Sequence, residues 1–185
     1  MVPFWLATVS IVSAWILAWA IDKSGLQSRL WWVEVPSVFG FYGIFLRIFD
    51  RWLWKWKSIR AIGLVIVPDL SGVWTGNGVS LYEENGEKKP FDCTVTIEQQ
   101  WMKLRVWLDT KTSESSSNVG AILIGGRRAS LSYEYVNEPK ALAVPPMNTH
   151  RGMARLELIT PIELQGEYYS GRGRQTFGTL HLRKS

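Results

Sequence analysis

The sequence predicts a membrane protein: a two-helix transmembrane hairpin followed by a cytosolic, all-β, eight-stranded up-and-down antiparallel barrel. Three observations carry this expectation. Two tryptophan-rich apolar runs, Pro3 to Ile21 and Leu30 to Phe49, open the chain. Everything after Pro68 reads as short segments of alternating polarity, and turn-forming residues separate those segments at short intervals. The expected organisation is residues 1–56 for the hairpin, 57–68 for a basic juxtamembrane linker and 69–185 for a β-barrel ligand-binding domain.

The first run is uncharged and, at roughly 1.5 Å per residue, about 28 Å long as a helix, which matches the hydrocarbon thickness of a bilayer. A cleaved signal peptide fits poorly. The apolar run begins at Val2 without a basic leader, exceeds the usual apolar length, and is followed by a second run after the link Asp22 to Arg29. That second run carries Glu34 and Pro36 in its first turns and Arg47 near its end. Proline is tolerated in a first turn and terminal charges can snorkel. Glu34 reads as an interfacial carboxylate, or alternatively as a group facing a partner helix.

Orientation follows from basic residues close to the spans. The link carries Lys23 and Arg29, whereas the distal side carries Arg47, Arg51, Lys55, Lys57 and Arg60, which places the β domain and both termini in the cytoplasm. Trp31 and Trp32 at one face, with Trp52, Trp54 and Trp56 at the other, have the spacing of an interfacial aromatic belt. The segment Arg51 to Arg60 reads as an amphipathic stretch whose cations attract anionic lipid at about 1 kcal/mol each near the surface. Seven of the 21 basic residues precede Pro68 against three acids, so most of the net charge of +5 belongs to the membrane part. The β domain has no general case for DNA or RNA polymers, which require a broad basic face. Cys93 is the only cysteine, which excludes an intrachain disulfide and a thiolate zinc cluster and suits the cytosol.

Phe91, Cys93, Val95 and Ile97 alternate with Asp92, Thr94, Thr96 and Glu98, the period-2 pattern of a strand with one buried face. Met102 to Asp109 repeats it. Similar stretches run from Leu70 to Tyr82, Asn118 to Ile124, Arg128 to Val136, Gly152 to Ile159, Ile162 to Ser170 and Thr176 to Arg183, which makes eight. Between them lie Glu84-Asn85-Gly86, the serine cluster Ser113 to Ser117, Gly125-Gly126, Thr160-Pro161 and Gly171 to Gly173, all read as turns. Successive hairpins favour a barrel, because closure removes the edges a meander leaves exposed, although a sandwich satisfies the same pattern.

If the strands run up and down from the membrane, Trp74 plugs the near end and a basic, aromatic mouth forms at the far end, bringing together Tyr82, Asp109, Tyr133, Tyr135, His150, Arg151, Tyr168, Arg172, Arg174 and Thr176. The long link Asn137 to Thr149, stiffened by Pro139, Pro145 and Pro146, reads as a lid over that mouth. Eight strands enclose core side chains or one small ligand. Arginine forks suit phosphate and tyrosine faces stack bases, so a compact anionic nucleotide fits. The plainer alternative is that the arginines are solvated loop residues and the tyrosines core. The candidate ligand-binding residues are Tyr133, Tyr135, Arg151, Tyr168, Arg172, Arg174 and Thr176. Of these, Tyr133, Tyr135, Tyr168, Arg174 and Thr176 share the inward phase of their strands, whereas Arg151 and Arg172 stand at strand ends. Arg105, Arg155 and Trp107 point outward by the same parity. Catalysis finds little support: with His150 and His181 the only histidines, no metal pair, nucleophile elbow or phosphate loop occurs, so no catalytic residue, metal or resident cofactor is expected.

Asp69-Leu70-Ser71-Gly72-Val73-Trp74-Thr75-Gly76 contains a Gly-x-Trp that resembles the lipocalin first-strand motif. Preceded by two apolar helices and a tryptophan-rich linker, the whole order resembles the CBASS anti-phage effectors, the CD-NTase-associated transmembrane β-barrel proteins. The resemblance covers the full chain in architecture, though only Asp-Leu-Ser-Gly-x-Trp is motif-like. It implies a cyclic dinucleotide from a cognate nucleotidyltransferase as activating ligand, homo-oligomerisation through the membrane segments, and disruption of the bacterial inner membrane leading to cell death. Gly40 and Gly43 in the second helix, with Ser10, Ser13 and Ala14 in the first, would permit close helix packing, and ordinary membrane composition explains them equally well. A membrane-tethered lipocalin-like binder of an apolar molecule and a purely structural membrane protein are the alternatives.

Overall fold

In the computed structural model, which describes residues 2–24, 34–84, 87–141, 148–171 and 176–185, the chain divides into two compact units. The first comprises Met1–Ile66 with Gln100–Met102, and the second Val67–Gln99 with Lys103–Ser185.

The first unit is helical: α1 (Val2–Lys23), α2 (Glu34–Arg51), a 3-10 turn (Leu53–Lys55) and the short α3 (Lys57–Ala61). Leu6, Ser10 and Ala14 recur every fourth residue on the buried face of α1, which packs on α2, and the Ser10 hydroxyl donates to the Leu6 carbonyl at 2.6 Å. Phe4, Trp5, Val9, Ile11, Val12, Trp15, Ile16 and Trp19 are exposed around the rest of the helix. An apolar helix with so much apolar surface left uncovered is built for lipid. From Pro3 to Lys23 its mean hydropathy is 1.9, and it is the one helix among the described residues long and apolar enough to cross a membrane. α2 is amphipathic: Tyr42, Phe45, Leu46 and Phe49 turn inward while Phe39, Gly40, Gly43, Ile44 and Arg47 turn out. The small residues thus divide. Ser10 and Ala14 are buried and Ser13 is half-buried, but Gly40 and Gly43 are exposed and look into open space.

Leu6, Phe49, Trp54 and Val65 form the buried cluster of this unit, with Trp101 packed on it edge-to-face at 5.3 Å from the Phe49 ring. Leu6, early in α1, thus shares one buried cluster with Phe49 near the end of α2. The aromatic belt expected from Trp52, Trp54 and Trp56 is split by this packing. At about three residues per turn the 3-10 helix separates residues two apart by roughly a third of a turn, and Trp54 is fully buried while the capping Trp52 and Trp56 are exposed. Trp31 and Trp32 lie outside the described residues.

The second unit is a closed antiparallel barrel in sequence order, β1 (Gly72–Glu84), β2 (Glu87–Gln99), β3 (Leu104–Thr110), β4 (Ser113–Leu123), β5 (Ser130–Pro139), β6 (His150–Thr160), β7 (Glu163–Ser170) and β8 (Phe177–Lys184). β1 pairs with β8 from Trp74 opposite Lys184 to Ser80 opposite Gly178, which closes the sheet. Gly72 begins β1 at φ 121°, a backbone region that side chains rarely adopt, which accounts for the glycine of the Gly-x-Trp pair. Trp74, two residues on, is fully buried; its indole N–H donates to the Leu70 carbonyl at 2.8 Å, and Lys184 Nζ stands 5.4 Å from its ring centre.

The serine cluster read as a turn is instead the first half of β4. Ser113 and Ser115 are buried on the inward phase, and the Ser117 hydroxyl accepts from the Val106 amide at 2.9 Å. Serine favours turns because its hydroxyl competes for backbone groups; here the interior it faces is itself polar, so that preference is overridden. The link expected from Asn137 is shortened by strand pairing through Pro139, which meets Ser113, and β6 resumes at His150; Pro145 and Pro146 lie outside the described residues.

Candidate functional site

Strand alternation sorts the interior into two layers. At the end where the chain enters β1, called lower here, the inward positions are Trp74, Ile97, Leu131, Leu156, Leu164 and Leu182, all buried and nearly all aliphatic. At the opposite end, which carries the β1–β2, β3–β4, β5–β6 and β7–β8 connections, they change character. Thr110, Ser113, Ser115 and Asn137 line the wall formed by β3, β4 and β5, and Ser170 and Thr176 stand on β7 and beside β8. Phe91 and Tyr168 face inward at this end, half-buried, with ring centres 6.2 Å apart at 75°. One end is a packed plug; the other is a chamber of hydroxyls, an amide and aromatic rings.

The hydroxyls are held in place. The Thr110 hydroxyl donates to the Ser113 carbonyl at 2.9 Å and accepts from the Ser113 amide at 3.0 Å, fixing the β3–β4 turn. Ser170 Oγ and Thr176 Oγ1 lie 2.9 Å apart, and the Ser170 amide donates to the Thr176 carbonyl at 2.7 Å, clasping the base of the β7–β8 connection. Lys140 donates from Nζ to the Thr110 carbonyl at 2.6 Å and pairs with Asp109. Lys89 shares the inward alternation of Phe91 and stands exposed at the rim opposite Ser80.

Between plug and chamber the barrel is hostile to negative charge. Burial, and secondarily Asp92, pushes the Cys93 thiol up to about 11. Burial also pushes the Tyr133 phenol well above its ordinary value, with Tyr135 and then Cys93 adding to it. Both groups are protonated at neutral pH, because a low-dielectric layer disfavours the charged form. The same layer would disfavour the charged groups of any anionic ligand and leave them to the upper rim.

Of the residues singled out from sequence, Tyr133, Tyr135, Tyr168 and Thr176 come together on the inward face of the upper half. Tyr133 and Tyr135 are core-like, only 2% and 7% exposed, whereas Tyr168 is half-buried. Arg151 stands on the outward phase beside Gly152; with Val136, Thr149, His150 and Gly171 it lines a cleft of about 450 Å³ on the rim, where the Gly171 amide donates to the Arg151 carbonyl at 2.6 Å. Arg172 and Arg174 lie outside the described residues. Phe91, Lys89, Ser113, Ser115, Asn137 and Ser170 belong to the chamber but were not singled out. For Phe91, Lys89, Asn137 and Ser170 the available signal was parity, each at an even spacing from a core residue of its own strand; a bulge between Ser117 and Val119 puts Ser113 and Ser115 out of phase with Ile122, so parity within β4 could not find them. No group of three or more His, Cys, Asp or Glu side chains converges among the described residues.

Known proteins resemble this chain along most of its length. A family profile described as the Cap15 transmembrane helices matches residues 1–55, and one described as the Cap15 cyclic dinucleotide receptor domain matches residues 65–184. A CD-NTase-associated protein 15 from Yersinia aleksiciae is 29% identical over 154 residues, covering 80% of this chain and 71% of that protein. A protein of the same name from Staphylococcus schleiferi is 29% identical over 157 residues, covering 84% and 82%.

Proposed function

Because the chain belongs to the Cap15 family, which joins transmembrane helices to a cyclic dinucleotide receptor domain, we propose that it is a CBASS effector whose barrel chamber takes a cyclic dinucleotide and whose helices then disrupt the inner membrane. The observation that carries this reading is the division of the barrel interior. A carrier of apolar molecules would continue the aliphatic lining to the mouth; here it gives way to Thr110, Ser113, Ser115, Asn137, Ser170 and Thr176, with two accessible rings among them. Bases stack on rings, and ribose and phosphate oxygens accept from hydroxyls and from the rim cations.

In this reading the protein is a receptor rather than an enzyme, with no resident cofactor. α1 and α2 form a multi-pass anchor with both termini cytoplasmic, a topology supported by the one buried cluster that joins Leu6 near the start of α1 to Phe49 near the end of α2, and by the cations that follow α2. Ligand binding drives homo-oligomerisation through the helical unit, and membrane damage kills the infected cell. The test is a thermal shift of the full-length protein in detergent against cyclic dinucleotides, linear dinucleotides and fatty acids. Stabilisation by at least one cyclic dinucleotide is expected; stabilisation by fatty acid alone would end the effector reading.

A further inference from the structure

Glycine recurs on the inward face of the barrel opposite an aromatic residue. Gly78 of β1 pairs with Phe91 of β2, Gly178 of β8 with Tyr168 of β7, and Gly152 of β6 with Tyr135 of β5. In each pair the ring folds across onto bare backbone. A Cβ at Gly78 would run into the tip of the Phe91 ring alone; one at Gly178 would meet the Val79 carbonyl oxygen as well as Cε1 and Oη of Tyr168, and one at Gly152 the Tyr169 carbonyl oxygen as well as the phenol of Tyr135. Glycine weakens a strand, so a repeated glycine under a ring marks space that a side chain would take away.

Two of these pairs share a wall. β8 and β1 are hydrogen-bonded neighbours, with Gly178 opposite Ser80 and Gly78 opposite Leu180. Tyr168 leans onto this seam from β7 and Phe91 from β2, and the rings meet edge-to-face above it. Both are half-buried, unlike Tyr133 and Tyr135, so the ring surface that the chamber offers is largely theirs. The Ser170 and Thr176 hydroxyls stand one inward position further toward the rim, where the sugar of a stacked nucleoside would lie.

We propose that Phe91 and Tyr168, seated on Gly78 and Gly178, form a subsite for one planar base of the ligand, and that the two glycines set its width. The inference rests on the receptor reading above. A Cβ under either ring lifts it into the chamber and narrows the slot, whereas the bare backbone keeps the ring against the wall. Gly78 and Gly178 are positioning residues: they act on the ligand through the rings.

The test uses the full-length protein in detergent, titrated calorimetrically with a panel of cyclic dinucleotides. Absence of binding to wild type overturns the receptor reading and this inference with it. With wild-type binding established, Gly78→Ala, whose Cβ meets only the Phe91 ring, is expected to weaken the best ligand at least about tenfold, within the range for losing one base-stacking partner, while the circular dichroism of the barrel is retained; Gly178→Ala, whose Cβ also meets the Val79 carbonyl, is expected to weaken it at least as much. Phe91→Leu removes the ring tip that the new Cβ meets. Adding Gly78→Ala to Phe91→Leu should therefore cost no more than about a further twofold, whereas damage independent of the ring would carry the tenfold loss into the double variant. Equal binding by wild type and both glycine variants, or full additivity in the double variant, overturns the subsite and leaves the receptor reading standing. If either alanine variant loses the barrel's spectrum, Phe91→Leu and Tyr168→Leu decide: weakened binding by both supports the subsite, and undiminished binding by either overturns it.

Discussion

Trp74→Phe should destabilise the barrel far more than a conservative aromatic exchange normally does. Phenyl in place of indole withdraws about three buried heavy atoms, or about 2 kcal/mol at about 0.8 kcal/mol per buried methylene. It also removes the N–H that donates to the Leu70 carbonyl at 2.8 Å. Leu70 is 2% exposed, so that acceptor is left without its partner in a dry layer, at about 1–3 kcal/mol. The loss is about 3–5 kcal/mol, a large share of the ~5–15 kcal/mol that holds a typical domain together. At roughly 4 °C per kcal/mol, the unfolding midpoint falls by at least about 10 °C. Trp54 supplies the control. It is equally buried, but its indole nitrogen has no hydrogen-bond partner among the described residues, so Trp54→Phe sheds a desolvated donor along with the lost packing. The assay is thermal unfolding in detergent followed by far-ultraviolet circular dichroism. Equal shifts for Trp74→Phe and Trp54→Phe, or a shift below about 1 kcal/mol for Trp74→Phe, would refute the reasoning that the Leu70 bond sets the cost.

Two further outcomes follow from charge. The folded protein holds the Cys93 proton up to about pH 11 while the unfolded chain releases it near 9, so stability present below pH 9 is lost as pH rises toward 11. Cys93→Ala removes that alkaline slope, though not the constant cost of its cavity; parallel curves of unfolding midpoint against pH for the two proteins would contradict this. In the segment after α2, Lys55, Lys57 and Arg60 follow the exposed Trp52 and flank Trp56. Changing all three to glutamine should forfeit about 3 kcal/mol of attraction to an anionic leaflet. Enrichment of phosphatidylglycerol around the protein in mixed nanodiscs should disappear, and unchanged enrichment would show that these cations do not contact headgroups.

Much of the barrel was readable because its strands obey a two-residue period that a single sequence displays without help from tertiary context: Phe91 to Ile97 announces its own buried face. Ser113 to Ser117 shows where this fails. Polar residues in a strand look like a turn unless the lumen they face is known to be polar, and that depends on five other strands. Trp54 was misplaced for a related reason, since membership of a belt is read from spacing, whereas burial depends on Phe49, Val65 and Trp101 arriving from elsewhere in the chain. The inward phase of Tyr133, Tyr135, Tyr168 and Thr176 was legible from parity alone. Parity could not rank them, because it assigns a face and not an exposure: Tyr135 and Tyr168 each lie over a glycine, yet one is buried and the other half-buried. Arg151 sits at a strand end, where alternation assigns no face, and only the pairing of Val136 with Arg151 turns it to the outer rim.

Closure of the barrel also has a schedule. Trp74 is opposite Lys184, so β1 waits for about 110 further residues before it finds its second neighbour. At about 5–20 residues per second that is an interval of several seconds or more, longer than the time a hairpin needs to form. Throughout it the helices have already emerged, while the sheet is still an open ribbon with no enclosed chamber. Every newly made copy passes through this state, with its helices complete and its barrel unfinished. Under the effector function proposed above, a chain that damaged the membrane at that stage would poison the cell that synthesised it, so the proposal requires the half-built form to be silent. It ties membrane damage to the chamber, which exists only once β8 has paired with β1.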